Sequence, residues 1–458
     1  MNVTNPATGA VIGEIPEDTA ESIAAKFKAA RAAQPAWAAV PLPERIGRLH
    51  RFRDGLVEQK EKLARVLTAE TGKPIRQSWA ELDAMPERID YFLEMVAGVM
   101  RDETVHADRA KGLEERVAYE PLGVVANISA WNYPYFVGSN VFVPALLTGN
   151  AVLYKPSELA SLTGLVIADL LRAAGIPADV FTPVIGGGPA AAELLTHPLD
   201  GVFFTGSHAT GRKVAEAAGR GLMRMQLELG GKDPVYVCDD VDIRHAAPSV
   251  AVGAFYNAGQ SCCAVERVYV HERIHDAFVD AFLQDVRAFV VGDPTDEATF
   301  IGPVTRPAQL AVLEAQVEDA RSKGARVLLG GHRREGPGSW FEPTVVVGVD
   351  HRMDLMREES FGPVIGIQKV SGDDEALALM NDTRYGLTAG VYSQDELRAR
   401  RILSAVRSGS VYWNCCDRVS PRLPWSGRGH SGIGATLGLD GIRAFLQPKA
   451  WHLRSPRA

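Results

Sequence analysis

No run of 18 apolar residues occurs in the chain, so no segment is long enough to form a helix across a bilayer. Positive charge is not in excess either. Lys and Arg number 49 against 56 Asp and Glu, a formal net charge of −7, which argues against a general binder of nucleic acid or anionic membrane. Cysteine is scarce, with Cys238, Cys262, Cys263, Cys415 and Cys416 making five. An odd count with two adjacent pairs is a poor disulfide framework and predicts a reducing, cytoplasmic compartment. The opening residues MNVTNPATGAVIGEIP lack the basic start and apolar centre of a secretory signal. What remains is the composition of a soluble enzyme: 46% hydrophobic, 23% charged, 44 Gly and 27 Pro, which excludes a disordered or collagen-like chain. At 458 residues the chain predicts two or three structural units.

The first hundred residues are helical in pattern, for example ESIAAKFKAARAAQPAW and LHRFRDGLVEQKEKLARVL, with apolar residues recurring at three and four positions. After Pro121-Leu-Gly123 the character changes to short apolar runs alternating with helical patterns. The runs are Val124–Ile128, Ala151–Tyr154, Val180–Ile185, Gly201–Phe204 and Met225–Leu229. The helix between the second and third carries Leu162, Leu165, Val166, Leu170 and Leu171 on one face and stops at Gly175, with Pro177 beyond. Strands spaced by such helices imply right-handed βαβ units and a mostly parallel sheet. A second α/β series begins near residue 234. Its strand-like runs are Pro234–Cys238, Arg267–Val270, Arg326–Leu329, Thr344–Val347, Val364–Val370 and Ser410–Trp413, with helices over 274–290 and 307–323. The last segment, Gly441–Ala458, carries Arg443, Lys449, Arg454 and Arg457 and has no partner nearby in sequence, so it reads as a tail strand that pairs elsewhere, on another subunit for instance.

Four turns carry chemistry. Gly186–Ala191, GGGPAA, fits the loose pattern G-x-G-x-x-A between strand and helix, where backbone amides and a helix N-terminus can approach a pyrophosphate; glycine clusters also close turns with no ligand. At Phe204-Thr-Gly-Ser207, Ser207 suits either an N-cap or a first-turn phosphate contact. Lys155-Pro-Ser-Glu158 puts a cation and a carboxylate at a strand's C-terminal end, where Glu158 can accept hydrogen bonds from ribose hydroxyls. In Asn257-Ala-Gly-Gln-Ser-Cys262-Cys263, small residues leave room for a substrate beside a thiol nucleophile, while a buried inert thiol is the bland reading and Cys263 its natural candidate. Upstream, Glu228 stands in the apolar context LELGGK, where burial raises a carboxylate pKa toward that of a general base; an ion pair is the structural alternative. His271-Glu-Arg-Ile-His275 satisfies H-E-x-x-H, but a strand runs into His271 and the helix begins only near Arg273 or Ile274. That chemistry needs both histidines on one helical face, so no metal is expected.

In order, the segments NPATG, WNYP, KPSE, GGGP, FTGS, LELGGK, NAGQSC, EESFGP and PWSGRGHSG resemble the NAD(P)-dependent aldehyde dehydrogenase superfamily over nearly the whole chain. The resemblance implies an α/β fold with a Rossmann-type cofactor domain over 1–108 and 124–229, an α/β catalytic domain over 230–440, and a small β oligomerisation element joining 109–123 to 441–458. It implies oxidation of an aldehyde to the acid through a thiohemiacetal and thioester on Cys262, with Asn132 and the Cys262 N–H as the oxyanion hole and Glu228 activating water. It places Lys155 and Glu158 at the adenosine ribose, Trp131, Gly188, Gly206 and Ser207 around the pyrophosphate and its loops, and Glu359 and Phe361 at the nicotinamide end. The cofactor so implied is NAD, with NADP admitted because Lys155 can pair with a 2′-phosphate. A homodimer or homotetramer acting on a small aldehyde follows, with neither nucleic acid nor membrane as partner.

The chain departs from the family at Asn414-Cys-Cys-Asp-Arg418-Val-Ser-Pro-Arg422, where many relatives carry apolar or aromatic residues. Arg418 suggests an anionic substrate end, against the alternative of a surface ion pair; Tyr133, Tyr135 and Phe136 suit an aromatic or apolar aldehyde. Acyl transfer to coenzyme A is a second reading within the fold, disfavoured by Glu228. A catalytically silent binding protein is a third, disfavoured by the joint presence of Cys262, Glu228 and Asn132.

Overall fold

The computed structural model describes residues 1–456; Arg457, one of the basic residues of the expected tail, lies outside them. Five helices, Ala20–Ala38, Leu42–Glu58, Lys60–Thr71, Ile75–Asp83 and Met85–Val99, account for the helical pattern of the N-terminal hundred residues. The first opens on a capping box in which Thr19 and Ser22 each accept the other's backbone N–H. The third ends at Gly72, whose φ of 76° is left-handed. Leu49, Phe52, Leu63, Leu67 and Phe92 on these helices share one apolar core with Phe142, Tyr154 and Phe181 of the first α/β unit.

That unit is built on a six-stranded sheet in the order Gly432–Ile433, Arg224–Glu228, Gly201–Thr205, Val124–Ile128, Ala151–Lys155, Phe181–Pro183. All neighbours are parallel except Gly432–Ile433. Helices cover both faces, so Val124–Ile128 and Ala151–Lys155 are buried at every position, which is why they read as unbroken apolar runs. The chain leaves Val124–Ile128 toward one edge and later returns to its other side with Gly201–Thr205. This reversal opens a crevice at the carboxyl ends of the strands.

The second sheet has seven strands in the order Arg326–Leu329, Thr344–Val347, Val364–Val370, Val265–His271, Asp233–Val237, Thr388–Tyr392, Ser410–Trp413. Six match the expected runs to within two residues. Thr388–Tyr392 was missed: TAGVY is short and half small or polar, yet every residue is buried between two neighbours.

The third sheet joins the end of the chain to its first half. Its strands are Glu103–Asp108, Leu113–Pro121 and Leu446–Arg454, all antiparallel. A boundary at 108 therefore cuts through this sheet. The tail strand pairs within its own chain, from Leu446 against Pro121 to Arg454 against Leu113. Glu103–Asp108 is polar and exposed, and so gave no apolar signal. Gly432–Ile433, placed by sequence in the second unit, completes the edge of the six-stranded sheet.

Candidate active site

A cleft of about 580 Å³ runs along the carboxyl ends of the first sheet and under the second unit. Trp131, Asn132, Gly206, Ser207, Glu228, Cys262, Glu359 and Phe361 all line it, so residues spread over more than half of the chain meet in one place.

Glu228 ends the strand Arg224–Glu228. Gln226 Nε2 donates to its Oε1 at 2.8 Å, while Oε2 is buried with no partner among the described residues. Burial pushes this carboxyl well above the ordinary range, and the contacts with Gln226 and with the Thr436 hydroxyl and backbone N–H only partly offset it. The ion pair offered as the structural alternative is absent among the described residues. Glu228 thus lines the cleft as a buried carboxyl with a high proton affinity and no cation beside it.

Cys262 sits on a turn held by unusual backbone. Asn257 and Ala258 lie at φ 53° and 54° and Gly259 at 70°. A Cβ at Gly259 would stand 2.3 Å from the carbonyl oxygen of Gly362, so this position admits only glycine. Gln260 braces the turn, its Nε2 donating to Asn257 O at 3.0 Å and its Oε1 accepting from the Thr305 N–H at 2.8 Å. Asn132 Nδ2 donates to Gln260 O at 3.1 Å, and Asn257 Nδ2 donates to Asn132 O at 3.2 Å. The Asn132 amide is thereby locked to the cysteine turn, and its second N–H remains for a ligand. Among the described residues no hydrogen bond takes up the Cys262 backbone N–H.

The two adjacent thiols differ in surroundings. Cys262 is partly exposed on the cleft, whereas Cys263 is buried. Cys263 Sγ donates to Asp417 Oδ1 at 3.1 Å; its bond with Cys262 and its burial raise its pKa well above the ordinary thiol value. Cys263 is the inert neighbour expected from sequence.

Around the cofactor positions, Ser207 caps the helix His208–Gly221 through a 3.4 Å bond from the Thr210 N–H, leaving the first-turn amides facing the cleft. Trp131 and Phe361 meet edge to face, centroids 5.5 Å apart, with Phe361 held at φ 47°. Glu359 accepts the Gly231 N–H at 3.0 Å, and burial pushes its carboxyl up to about 8. Its carboxylate also lies 2.2 Å from where a Gly230 Cβ would stand, and a Cβ at Gly231 would lie 2.6 Å from the backbone oxygen of Cys262. Lys155, Glu158 and Gly188 do not line this cleft. Lys155 is buried at the end of the neighbouring strand, its Nζ donating to Pro156 O at 2.9 Å, and burial lowers its pKa. Glu158 is 52% exposed, 3.9 Å from it. In the glycine cluster it is Gly186, at φ 146°, that the backbone requires; Gly188 has open space beside it. A helix N-terminus, aromatic walls and glycines at close approach fit a dinucleotide.

The candidate pocket residues divide. Tyr133 and Phe136 stack at 6.0 Å. Tyr135 is a core residue, 1% exposed, its hydroxyl donating to Leu63 O at 3.3 Å, so it does not face a substrate. Arg418 is exposed and donates to Asp417 O at 3.2 Å, and it forms no ion pair among the described residues. Arg422 does form a surface ion pair, with Glu87 at 2.7 Å.

One buried pair went unnoticed in the sequence. Lys73 and Glu81 form an ion pair with both side chains at most 1% exposed. Glu81 Oε1 accepts the N–H groups of Tyr135 and Phe136 at 2.9 and 3.3 Å, capping the helix Pro134–Leu147 that follows Asn132. Lys73 Nζ lies 3.8 Å from the centre of the Tyr133 ring. The H-E-x-x-H pattern has no such support: His271 ends a strand and His275 begins a helix, so the two do not share a helical face.

The model of the aldehyde dehydrogenase family matches residues 1–451. The chain is 38% identical over 459 residues to aminoaldehyde dehydrogenase 1, peroxisomal, of Malus domestica, covering 98% of this chain and 91% of that protein. Among solved structures it is similar to lactaldehyde dehydrogenase from Escherichia coli, TM-score 0.96 at 34% identity over 99% of this chain and 96% of that one. It is equally similar to betaine aldehyde dehydrogenase from Staphylococcus aureus in complex with NAD+, TM-score 0.96 at 31% identity over 100% and 92%.

Proposed function

The chain belongs to the aldehyde dehydrogenase family, and from that premise we propose that Cys262, Asn132 and Glu228 carry its reaction. The enzyme oxidises an aldehyde to the carboxylic acid with a nicotinamide dinucleotide. Cys262 attacks the aldehyde carbon as the thiolate. The charge that develops on the carbonyl oxygen meets the free N–H of the Asn132 amide and the Cys262 backbone N–H, two donors already fixed by the turn around Gln260. A nicotinamide dinucleotide held in the cleft would supply the acceptor for the hydride that leaves the thiohemiacetal carbon. Glu228 then removes a proton from the water that attacks the thioester, and the acid departs from Cys262. The buried Glu228 carboxyl, raised in pKa and lining the cleft with Cys262, is the observation that carries the hydrolytic reading.

Trp131, Gly206, Ser207, Glu359 and Phe361 would hold the dinucleotide in the cleft, with Lys155 and Glu158 on the adjoining strand end at the adenosine ribose. Gly188 is left as a turn residue. On the substrate side, the exposed Arg418 gives little support to an anionic substrate end. Asp417 accepts from Cys263 at 3.1 Å, a carboxylate next to the cysteine turn that favours a neutral or cationic aldehyde instead. Relatives named for aminoaldehydes and betaine aldehyde accord with that. Five unpaired thiols favour a reducing compartment, cytoplasm included, although relatives carry peroxisomal and chloroplastic names. The three-stranded sheet, with Trp451 and Leu453 exposed, is the surface for a homodimer or homotetramer. An aldehyde panel, aliphatic, aromatic, ω-carboxylic and ω-amino, assayed by reduced-cofactor absorbance with NAD and NADP, tests the reading. Turnover of the ω-amino members above the ω-carboxylic ones is expected. No turnover of any aldehyde without coenzyme A would replace hydrolysis by acyl transfer.

A further inference from the structure

Glu228, Cys262 and the pair Glu359 and Phe361 belong to three separate segments, and the three segments meet behind the cleft at one buried cluster. Lys232 stands four residues after Glu228. Glu266 stands four residues after Cys262, at the start of the strand Val265–His271, and Ser360 lies between Glu359 and Phe361. All three side chains are enclosed, and none of them lines the cleft.

The Glu266 carboxylate holds the backbone of the third segment. Its Oε1 accepts the N–H groups of Ser360 and Phe361 at 3.1 and 2.9 Å. Its Oε2 accepts the Ser360 N–H at 2.8 Å and Lys232 Nζ at 2.5 Å. Lys232 Nζ donates in turn to Ser360 Oγ at 3.0 Å. From the other side, Gln309 and Gln316 of the helix Gln309–Ser322 donate to Ser360 O at 2.6 Å and to Glu359 O at 3.3 Å. Phe361 sits at φ 47°, a left-handed conformation that phenylalanine adopts only where its surroundings impose it. A buried ion pair by itself adds little net stability over an apolar pair. Here the carboxylate reaches past its cation to clamp the backbone that carries the ring on the cleft.

We infer that Glu266, with Lys232 as its counter-ion, is a positioning residue that sets Glu359 and Phe361 against Cys262, so that the nicotinamide end of the dinucleotide is held at transfer distance from the thiohemiacetal carbon. The inference rests on the cofactor reading given above. Hydride transfer depends steeply on the separation and alignment of donor and acceptor, and a displacement of about 1 Å can slow such a step about a hundredfold. Dinucleotide binding is shared with Trp131, Gly206 and Ser207 and should fall by a smaller factor.

The test is rapid mixing of the full-length enzyme with NAD+ and an aldehyde that the unmodified enzyme oxidises, reading the first turnover of reduced cofactor. NAD+ affinity by fluorescence quenching and alkylation of Cys262 by iodoacetamide without cofactor are measured beside it. Glu266→Gln leaves Lys232 buried without its anion, so a double variant, Glu266→Gln with Lys232→Met, removes both charges together. In each, the first turnover should slow about tenfold or more. It should also show a larger isotope effect with aldehyde deuterated at the carbonyl carbon. NAD+ affinity should fall by a smaller factor, and alkylation should stay near that of the unmodified enzyme. Ser360→Ala keeps the backbone bonds to Glu266, loses only the Lys232 contact, and should slow the first turnover less. A first turnover as fast as the unmodified enzyme's in every variant that folds, or a parallel fall in all three readouts, overturns the positioning role and leaves the cofactor reading standing. An unmodified enzyme that neither binds nor reduces NAD+ overturns both.

Discussion

Cys262 and Cys263 show how far one position along a turn can separate two identical side chains. The first opens onto the cleft beside Asn132; the second is buried against Ser261 and Asp417. Cys262→Ala is therefore expected to abolish aldehyde oxidation while NAD+ binding, followed by fluorescence quenching, stays near that of the unmodified enzyme. Cys263→Ala should retain turnover; the opposite pattern would move the nucleophile by one residue. The raised pKa of Glu228 has a kinetic consequence with a definite sign. The base must be ionised to accept a proton, so thioester hydrolysis should quicken as the pH rises toward the elevated pKa and slow below it. Single-turnover hydrolysis measured from pH 6 to 9 checks this, and a flat profile would remove Glu228 from that step. Glu158 belongs to the same scale. We expect the exposed Glu158 carboxylate, on the strand end beside the cleft, to give a higher kcat/KM with NAD than with NADP, and the nearby Lys155 keeps this a preference. Equal values would contradict it. These residues were legible in the sequence because each is a reactive type in surroundings that do not otherwise call for it: a thiol among small residues, a carboxylate in an apolar strand. The clamp of Glu266 on Ser360 was not legible, because 94 positions separate the two and only the pairing of Val265–His271 with Val364–Val370 brings them together.

Among the elements, the helix Pro134–Leu147 has the most direct bearing on the site, since it fixes Asn132 from its N-terminal side. Its first turn is held by Glu81, and Glu81 is neutralised by Lys73. Lys73→Met leaves a buried carboxylate without its cation and should cost about 3–5 kcal/mol of stability, read by denaturant unfolding. It should also lower kcat/KM through the displaced Tyr133 and Asn132. Replacing both partners by apolar residues should restore part of the stability without restoring the activity. A single variant as stable as the parent would show the pair to be dispensable. The strands most plainly read from sequence were those buried on both faces and rich in β-branched or large apolar residues, such as Val124–Ile128 and Val364–Val370. Thr388–Tyr392 escaped because two of its five residues are Ala and Gly, and burial there comes from its neighbours instead of its own side chains. Lys73 and Glu81, eight positions apart in a charged helical stretch, carry no local signal that both are enclosed.

At the scale of the whole molecule, the edge strand Gly432–Ile433 and the tail Leu446–Arg454 tie the end of the chain back to its first half, one against the cofactor sheet and one against Leu113–Pro121. Gln447 through Arg454 are exposed along the tail strand. Deleting residues 447–458 should leave the two α/β units folded, with near-native circular dichroism, while light scattering shows loss of the homo-oligomer. An oligomer that survives the deletion would place the interface elsewhere. The arrangement brings three distant segments together in one cleft: Asn132 from the first unit, Glu228 from the end of its sheet, and Cys262 from the second unit. Their division of labour is the central claim, and pre-steady-state kinetics of Glu228→Gln test it most directly. Rapid mixing of that variant with NAD+ and aldehyde should give a burst of reduced cofactor close to one per active site, then little further turnover as the thioester accumulates on Cys262. Full steady-state turnover without a burst, or no reduced cofactor at all in a variant that still binds NAD+, would contradict the assignment of Glu228 to the hydrolytic step.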